Sequence, residues 1–278
     1  MELDTLYLGD CVEILKKCID SDSVDLIYAD PPYNISGKEL RLINNKTGGP
    51  FYKINAEWDM WDPDAYWEFT CMWINECKRV LKPHGSLYVS CTYHNLGEVL
   101  IIGKQAGLRV NNVLVWRKTN AMPSITRRTY KHTTEFVVWF VRGSRWTYNY
   151  EALKELNPYR RKDGASTQMS DFVEIDDVIV LPTVQGKERL HGPDGRALHP
   201  AQKPEQLLRI IITASSHPGD LVLDPFAGTG TTLVVSAQLG RHWIGIEAEP
   251  RYYEAALKRL RAVQPSIPAE QYYDNPSL

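Results

Sequence analysis

Short apolar runs, spaced by longer amphipathic ones, set the tightest limit on how this chain folds. Strands are expected over Thr5–Leu8, Val24–Ala29, Ser86–Ser90, Val110–Arg117, Glu135–Val141, Leu221–Asp224 and Trp243–Glu247. Most of them read as continuous apolar stretches, not as alternating ones, so both faces must be buried. Helices fall between them. One is capped by Asp10 and runs through Lys17; others cover Asp64–Leu81, stopped by Pro83, and Asn95–Ala106, ended by Gly107. Three more cover Pro204–Ser216, Thr231–Leu239 and Arg251–Ala262. This alternation predicts an α/β fold, a mostly parallel sheet with helices on both faces. Ligands of such sheets bind outside the carboxyl ends of the strands. Asp10, Asp30, Ser90, Asp224 and Glu247 each end or follow an apolar run, so one rim should collect them.

Two segments on that rim carry chemistry. "ADPPYN" follows the second strand. Prolines fix their own φ and restrict the residue before them, so Asp30, Pro31, Pro32 and Tyr33 form a stiff edge presenting a carboxylate and a ring. "LVLDPFAGTGTT" (Leu221–Thr232) is a strand, a glycine turn and a helix start. Gly228 and Gly230 let backbone approach a ligand closely. Phosphate is not favoured there: no lysine follows Gly230 before Arg241, and Leu233 stands where a dinucleotide loop has its third glycine. Glu247 closes the next strand and can accept from both hydroxyls of a ribose.

Charge is unevenly spread. The formal net charge is −2, yet residues 104–162 hold thirteen Lys/Arg against three Asp/Glu, a local net of +10. Trp116, Tyr130, Trp139, Trp146, Tyr148 and Tyr150 interleave with them. A polyanion partner is therefore expected at this stretch, with Arg117, Lys118, Arg127, Arg128 and Lys131 nearest the rim. The five cysteines include no Cys-x-x-Cys pair, so free thiols in a reducing cytoplasm are expected and no metal ligands are assigned. No apolar run approaches a membrane span, and the start "MELDTLYLGD" lacks a signal-peptide pattern.

At these residues the chain resembles a known family. Asp30-Pro31-Pro32-Tyr33 resembles the D-P-P-Y motif of amino-group DNA methyltransferases. Asp224–Thr232 resembles their S-adenosylmethionine loop, "HPAQKP" (His199–Pro204) the segment before it, and "LYLGD" (Leu6–Asp10) the segment at the cofactor adenine. The catalytic motif comes first and the cofactor loop last, as in the circularly permuted β class. The resemblance implies a Rossmann-like methyltransferase fold with a small recognition region. Residues 1–142 would be the catalytic part, 143–198 the target-recognition region, 199–262 the cofactor-binding part and 263–278 a tail. The N-terminal strand would complete the sheet beside the C-terminal one.

It also implies roles. Asp30, with the Pro31 carbonyl, would hold an exocyclic amine, and Tyr33 would stack on a flipped base. That role needs only the ring, so Phe should serve nearly as well. Asp224 would face the cofactor's amine, with Phe226, Ala227, Gly228, Thr229, Gly230 and Thr231 lining it. Glu247 would hold the ribose, Asp10 the adenine, and Lys203 or Gln202 the cofactor's carboxylate. Asp at position 30 favours adenine N6 as the target, with cytosine N4 as the alternative. Residues 37–60 would form a loop over the site. A homodimer, a cognate restriction endonuclease sharing the target sequence, and a cytoplasmic location are the further expectations.

Overall fold

The computed structural model describes residues 1–35, 41–42, 51–52, 59–124, 127–156 and 176–263. Most of the expected loop 37–60, the middle of region 143–198 and the tail from 264 lie outside them.

An eight-stranded sheet forms the centre, in the order β1-β10-β9-β2-β5-β7-β6-β8. Its strands are β1 (Thr5–Leu8), β2 (Val24–Ala29), β5 (Leu81–Cys91), β6 (Arg109–Lys118), β7 (Thr134–Val141), β8 (Val178–Leu181), β9 (Leu221–Asp224) and β10 (His242–Glu247). β3 (Arg41–Leu42) and β4 (Phe51–Tyr52) form a separate antiparallel pair within the expected loop. In the main sheet β7 alone runs against its neighbours. The first strand, β1, pairs in parallel with the last, β10, from Thr5↔Ile244 to Leu8↔Glu247. The sheet is thus completed by the chain's two ends, as the permutation requires.

The helices are α1 (Cys11–Cys18), α2 (Pro63–Val80), α3 (Leu96–Gln105), α4 (Tyr150–Leu156), α5 (Glu205–Ser215), α6 (Thr231–Gln238) and α7 (Pro250–Arg261). Strand periodicity explains the two-sided core. Every residue of β2 is buried. Ile27 and Ala29 pack with Leu15 of α1, Trp73 and Ile74 of α2 and Ile102 of α3. Leu26 and Tyr28 face the other way, onto Leu207, Leu208 and Ile211 of α5. Successive side chains of a strand alternate in direction, so a strand covered on both faces has no polar phase.

Boundaries differ from expectation at one junction. α2 starts where Asp62 accepts from the Asp64 N–H and Pro63 occupies the first turn, but it ends at Val80, before Pro83. Leu81 already pairs with Val24, and regular pairing resumes only at Leu26↔Ser86. Residues 82–85 form an irregular stretch of β5, a place that accommodates proline. Two elements lie outside the expected set: α4, a helix of seven residues, and β8, a short β-branched run that adds a strand beside β6. Both come from the 143–198 region.

Candidate active site

The sheet brings four carboxylates to neighbouring strand ends. Asp30 follows β2, Asp224 ends β9, Glu247 ends β10, and Asp10 follows β1 after one residue. These strands are adjacent and parallel, so the four acids sit along one edge. A cavity of about 450 Å³ opens there. Asp10, Asp30, Pro31, Pro32, Tyr33, Gln202, Lys203, Asp224, Phe226, Ala227, Gly228, Thr229, Thr231 and Glu247 all line it. Gly230 does not; it precedes α6 with φ +77° and donates to the Ala227 carbonyl at 2.7 Å. A Cβ at Gly230 would lie 2.9 Å from Ala256 Cβ, so α7 and the loop can meet only with glycine there.

The Asp30–Tyr33 edge is braced by groups that sequence reasoning missed. The buried Asp59 carboxylate accepts from the N–H groups of Tyr33 and Asn34, both at 2.7 Å to Oδ1, and of Ile35 at 3.2 Å to Oδ2. Asn34 has φ +55°, a left-handed conformation that Asn tolerates better than most residues. The Pro32 carbonyl accepts from Tyr66 Oη at 2.9 Å, and Tyr66 Oη accepts from Asn95 Nδ2 at 2.9 Å. No local pattern announces Asp59 or Tyr66, because each acts on residues more than twenty positions away.

Asp30 is not a bare carboxylate. Tyr33 Oη donates to its Oδ1 at 2.6 Å, and Lys203 Nζ donates to its Oδ2 at 2.5 Å. Burial pushes the Asp30 carboxyl above its usual range, opposed by Lys203. Glu135 of β7 stands behind, with Oε2 3.6 Å from Lys203 Nζ and Oε1 paired to Lys118. Burial alone would raise Glu135, but Lys203 and Lys118 together hold it below the usual range. Burial likewise opposes the charge on Lys203, and Asp30 and Glu135 outweigh it and raise its pKa.

Several residues expected elsewhere are therefore engaged otherwise. Lys203 is expected on a cofactor carboxylate; at 6% side-chain exposure its ammonium needs a protein counter-charge, and Asp30 supplies it. Gln202 accepts from the Leu190 N–H at 3.2 Å and donates to the Glu188 carbonyl at 2.8 Å, tying the 186–190 segment to the cavity wall. Lys118, expected on DNA, is half-buried against Glu135. Arg117, Arg127, Arg128 and Lys131 are exposed. None of these five basic residues lines the cavity, but the β6–β7 connection leaves the same sheet edge as Asp30. Asp10 accepts from the Glu13 N–H at 2.9 Å and caps α1. Glu247 accepts from the Gly228 N–H at 2.7 Å and the Glu249 N–H at 2.8 Å, which fixes its orientation toward the glycine loop.

The donor set suits a cationic ligand. Lys203 is the one Lys or Arg among the described residues of the cavity wall, and Asp30 and Glu135 already neutralise it. Burial pushes His199 down to about 3, so it is neutral. Burial pushes Asp224 up to about 7, close enough to physiological pH that a nearby cation will ionise it. A polyphosphate would find no free cation among the described residues of this wall. A sulfonium with an ammonium group would find carboxylates, and the glycine loop gives it close backbone approach. These features fit S-adenosylmethionine.

Comparison with known proteins agrees. The DNA methylase family profile matches residues 24–258. Type II methyltransferase M.HinfI of Haemophilus influenzae is 37% identical over 269 residues, 95% of this chain and 70% of that protein. Type II methyltransferase M2.DpnII of Streptococcus pneumoniae is 36% identical over 262 residues, 92% of this chain and 89% of that protein. Among solved structures, the M1.HpyAVI–SAM complex superposes with a TM-score of 0.63 at 26% identity, covering 92% of this chain and 98% of that one. With the profile spanning both the Asp30 edge and the glycine loop, the chain belongs to the DNA methylase family of N6 and N4 methyltransferases.

Proposed function

We propose that this chain is a site-specific DNA methyltransferase that transfers a methyl group from S-adenosylmethionine to the N6 amine of a flipped adenine, as the modification arm of a restriction–modification system. The observation that carries the reading is the shared cavity in which Asp30-Pro31-Pro32-Tyr33 faces the Asp224–Thr232 loop. Its similarity to two type II methyltransferases, over 95% and 92% of this chain, supports the biological setting. Asp at position 30, not Ser, supports adenine.

When bound, S-adenosylmethionine supplies an electrophilic methyl on a sulfonium. Asp224 would hold its ammonium, Glu247 its ribose hydroxyls, and Asp10 its adenine edge, with the Phe226–Thr231 backbone around it. The adenine amine is a weak nucleophile because its lone pair is delocalised into the ring. Asp30 and the Pro31 carbonyl accept its two N–H bonds and localise that lone pair on nitrogen. Pro31 and Pro32 keep the two acceptors at a fixed spacing. Once the nitrogen has gained its methyl it is cationic and acidic, and Asp30 is the adjacent group to take the proton. Rate enhancement comes from positioning and fixed charge. The target amine is paired inside a duplex, so its base must be extruded, at a cost of about a few kcal/mol that ring stacking on Tyr33 offsets in part.

The exposed Arg117, Arg127, Arg128 and Lys131 would contact phosphates, and region 143–198 would read the target sequence. A homodimer and a cognate endonuclease rest on resemblance alone; sedimentation velocity tests the first, and protection of methylated DNA from that endonuclease the second. No helix of the described residues is long and apolar enough to cross a membrane. A cytoplasmic location follows from the DNA substrate. The test is transfer of labelled methyl to duplex DNA. Asp30→Ala should abolish it with cofactor affinity retained; a purified protein that binds no S-adenosylmethionine overturns the reading.

A further inference from the structure

The carboxylate that would receive the target amine is already occupied. Asp30 Oδ1 accepts from Tyr33 Oη and Oδ2 from Lys203 Nζ, and the side chain is only 15% exposed. The same ammonium lies over the Tyr33 ring, 5.3 Å from its centroid. One side chain therefore stands at both features meant for the flipped base, the amine acceptor and the stacking face. Lys203 is only 6% exposed, so leaving Asp30 without another partner would strand its charge. A second acceptor is within reach. Glu135 Oε2 is buried and has no hydrogen-bond partner, and it lies 3.6 Å from Lys203 Nζ. A shift of about 0.5 Å would bring the two within hydrogen-bonding distance. The other oxygen of Glu135 is held by Lys118, so the receiving carboxylate is fixed in place.

We propose that Lys203 is a placeholder for the target amine: it sits on Asp30 in the free enzyme and passes to Glu135 when the base enters. This rests on the reading of Asp30 as the amine acceptor. Lys118 and Lys203 balance Asp30 and Glu135, and the exchange moves an ammonium between two carboxylates without changing the net charge of the cluster. A neutral amine can then displace a cation because the cation keeps a full counter-charge. It also explains why Glu135 leaves one buried oxygen unbonded, an arrangement that normally costs stability. Lys203 and Glu135 are positioning residues that act through Asp30.

The test compares two duplexes carrying the mapped target, one with adenine and one with purine, which lacks the 6-amino group. Affinity is measured with saturating S-adenosylhomocysteine at about pH 8.5, since alkaline pH favours the ionised form of Asp30. In the isosteric Glu135→Gln, Lys203 has no charged site to move to, so the adenine-over-purine preference should fall by about tenfold with purine affinity unchanged. In Lys203→Met nothing competes for Asp30 Oδ2, and the preference should rise by a similar factor. Preferences equal to wild type in both variants would overturn the exchange and leave Lys203 as a plain neutraliser. Loss of S-adenosylhomocysteine binding in Lys203→Met with an unchanged preference would make it a cofactor ligand instead. Failure of the wild type to methylate the adenine duplex would remove the functional reading itself, an outcome separate from these. Should Lys203→Met fail to fold, Glu135→Gln decides alone.

Discussion

Asp59 offers the sharpest probe of how the Asp30–Tyr33 edge is held. Its carboxylate binds three consecutive backbone N–H groups, at 2.7, 2.7 and 3.2 Å. Such a nest of amides favours a fixed negative charge. Asp59→Asn keeps one oxygen for Tyr33 and Asn34 but turns an NH₂ toward the Ile35 N–H. Hydrogen bonds to charged acceptors contribute about 1.5–3 kcal/mol and neutral ones about 0.5–1.5, so two bonds weaken by about 1 kcal/mol each and one is lost. The sum is about 3.5–5 kcal/mol, concentrated on residues 33–35. That is a large share of a typical domain's stability, about 5–15 kcal/mol, so the urea midpoint should fall clearly. Displacing Tyr33 from Asp30 should lower single-turnover methyl transfer by about 10–100-fold. Asp224 and Glu247 are untouched, so S-adenosylmethionine affinity by calorimetry should change by less than about twofold. An unchanged urea midpoint with a transfer rate within about twofold of wild type would refute the reasoning.

Four other outcomes follow from the geometry. Tyr33→Phe keeps the ring but removes the 2.6 Å donor to Asp30. It should cost about tenfold or more in kcat with cofactor affinity unchanged; full activity would show that stacking alone matters, as the sequence suggests. Asp224 titrates near 7 in the fold because of burial, so between about pH 4 and 7 the native state holds the extra proton. Its contribution to stability is greatest at low pH and is lost as pH rises through 7. S-adenosylmethionine affinity should therefore strengthen from about pH 6 to 8 as the carboxylate forms, and Asp224→Asn should flatten that slope. Gly230→Ala meets both a φ of +77° and a 2.9 Å approach to Ala256 Cβ, which cost about 1–2 and about 1–3 kcal/mol. A lowered Tm and lost cofactor binding are expected, and an unchanged Tm contradicts the packing. Replacing Arg127, Arg128 and Lys131 by Ala should weaken DNA binding and reduce its salt slope by about 0.9 for each phosphate no longer neutralised, leaving cofactor affinity alone.

What the sequence revealed and what it hid divide along a physical line. Local signals were legible: the apolar runs of β2, β9 and β10, the proline-stiffened edge after β2, and the glycine turn after β9. Together with the order of the two motifs they place the acids on one rim. Long-range pairings were not legible. Lys203 sits among "HPAQKP" with nothing nearby to say that its partner is Asp30, 173 residues away. Glu135 reads as the first residue of an apolar strand, and only the pairing of β6 with β7 brings Lys118 to it. Tyr33 reads as a stacking ring because sequence shows its type and not its hydroxyl's neighbour. The 143–198 region offered weak periodicity; the β-branched run of β8 is only four residues long, too short to reveal β6 as its partner.

Methyl transfer to adenine at the Asp30 edge is the activity proposed for this chain. Duplex DNA modified by the purified protein with S-adenosylmethionine, hydrolysed to nucleosides and analysed by mass, tests it directly. N6-methyldeoxyadenosine is expected from the wild type and none from Asp30→Ala. N4-methyldeoxycytidine, or methylated DNA from Asp30→Ala, would contradict it.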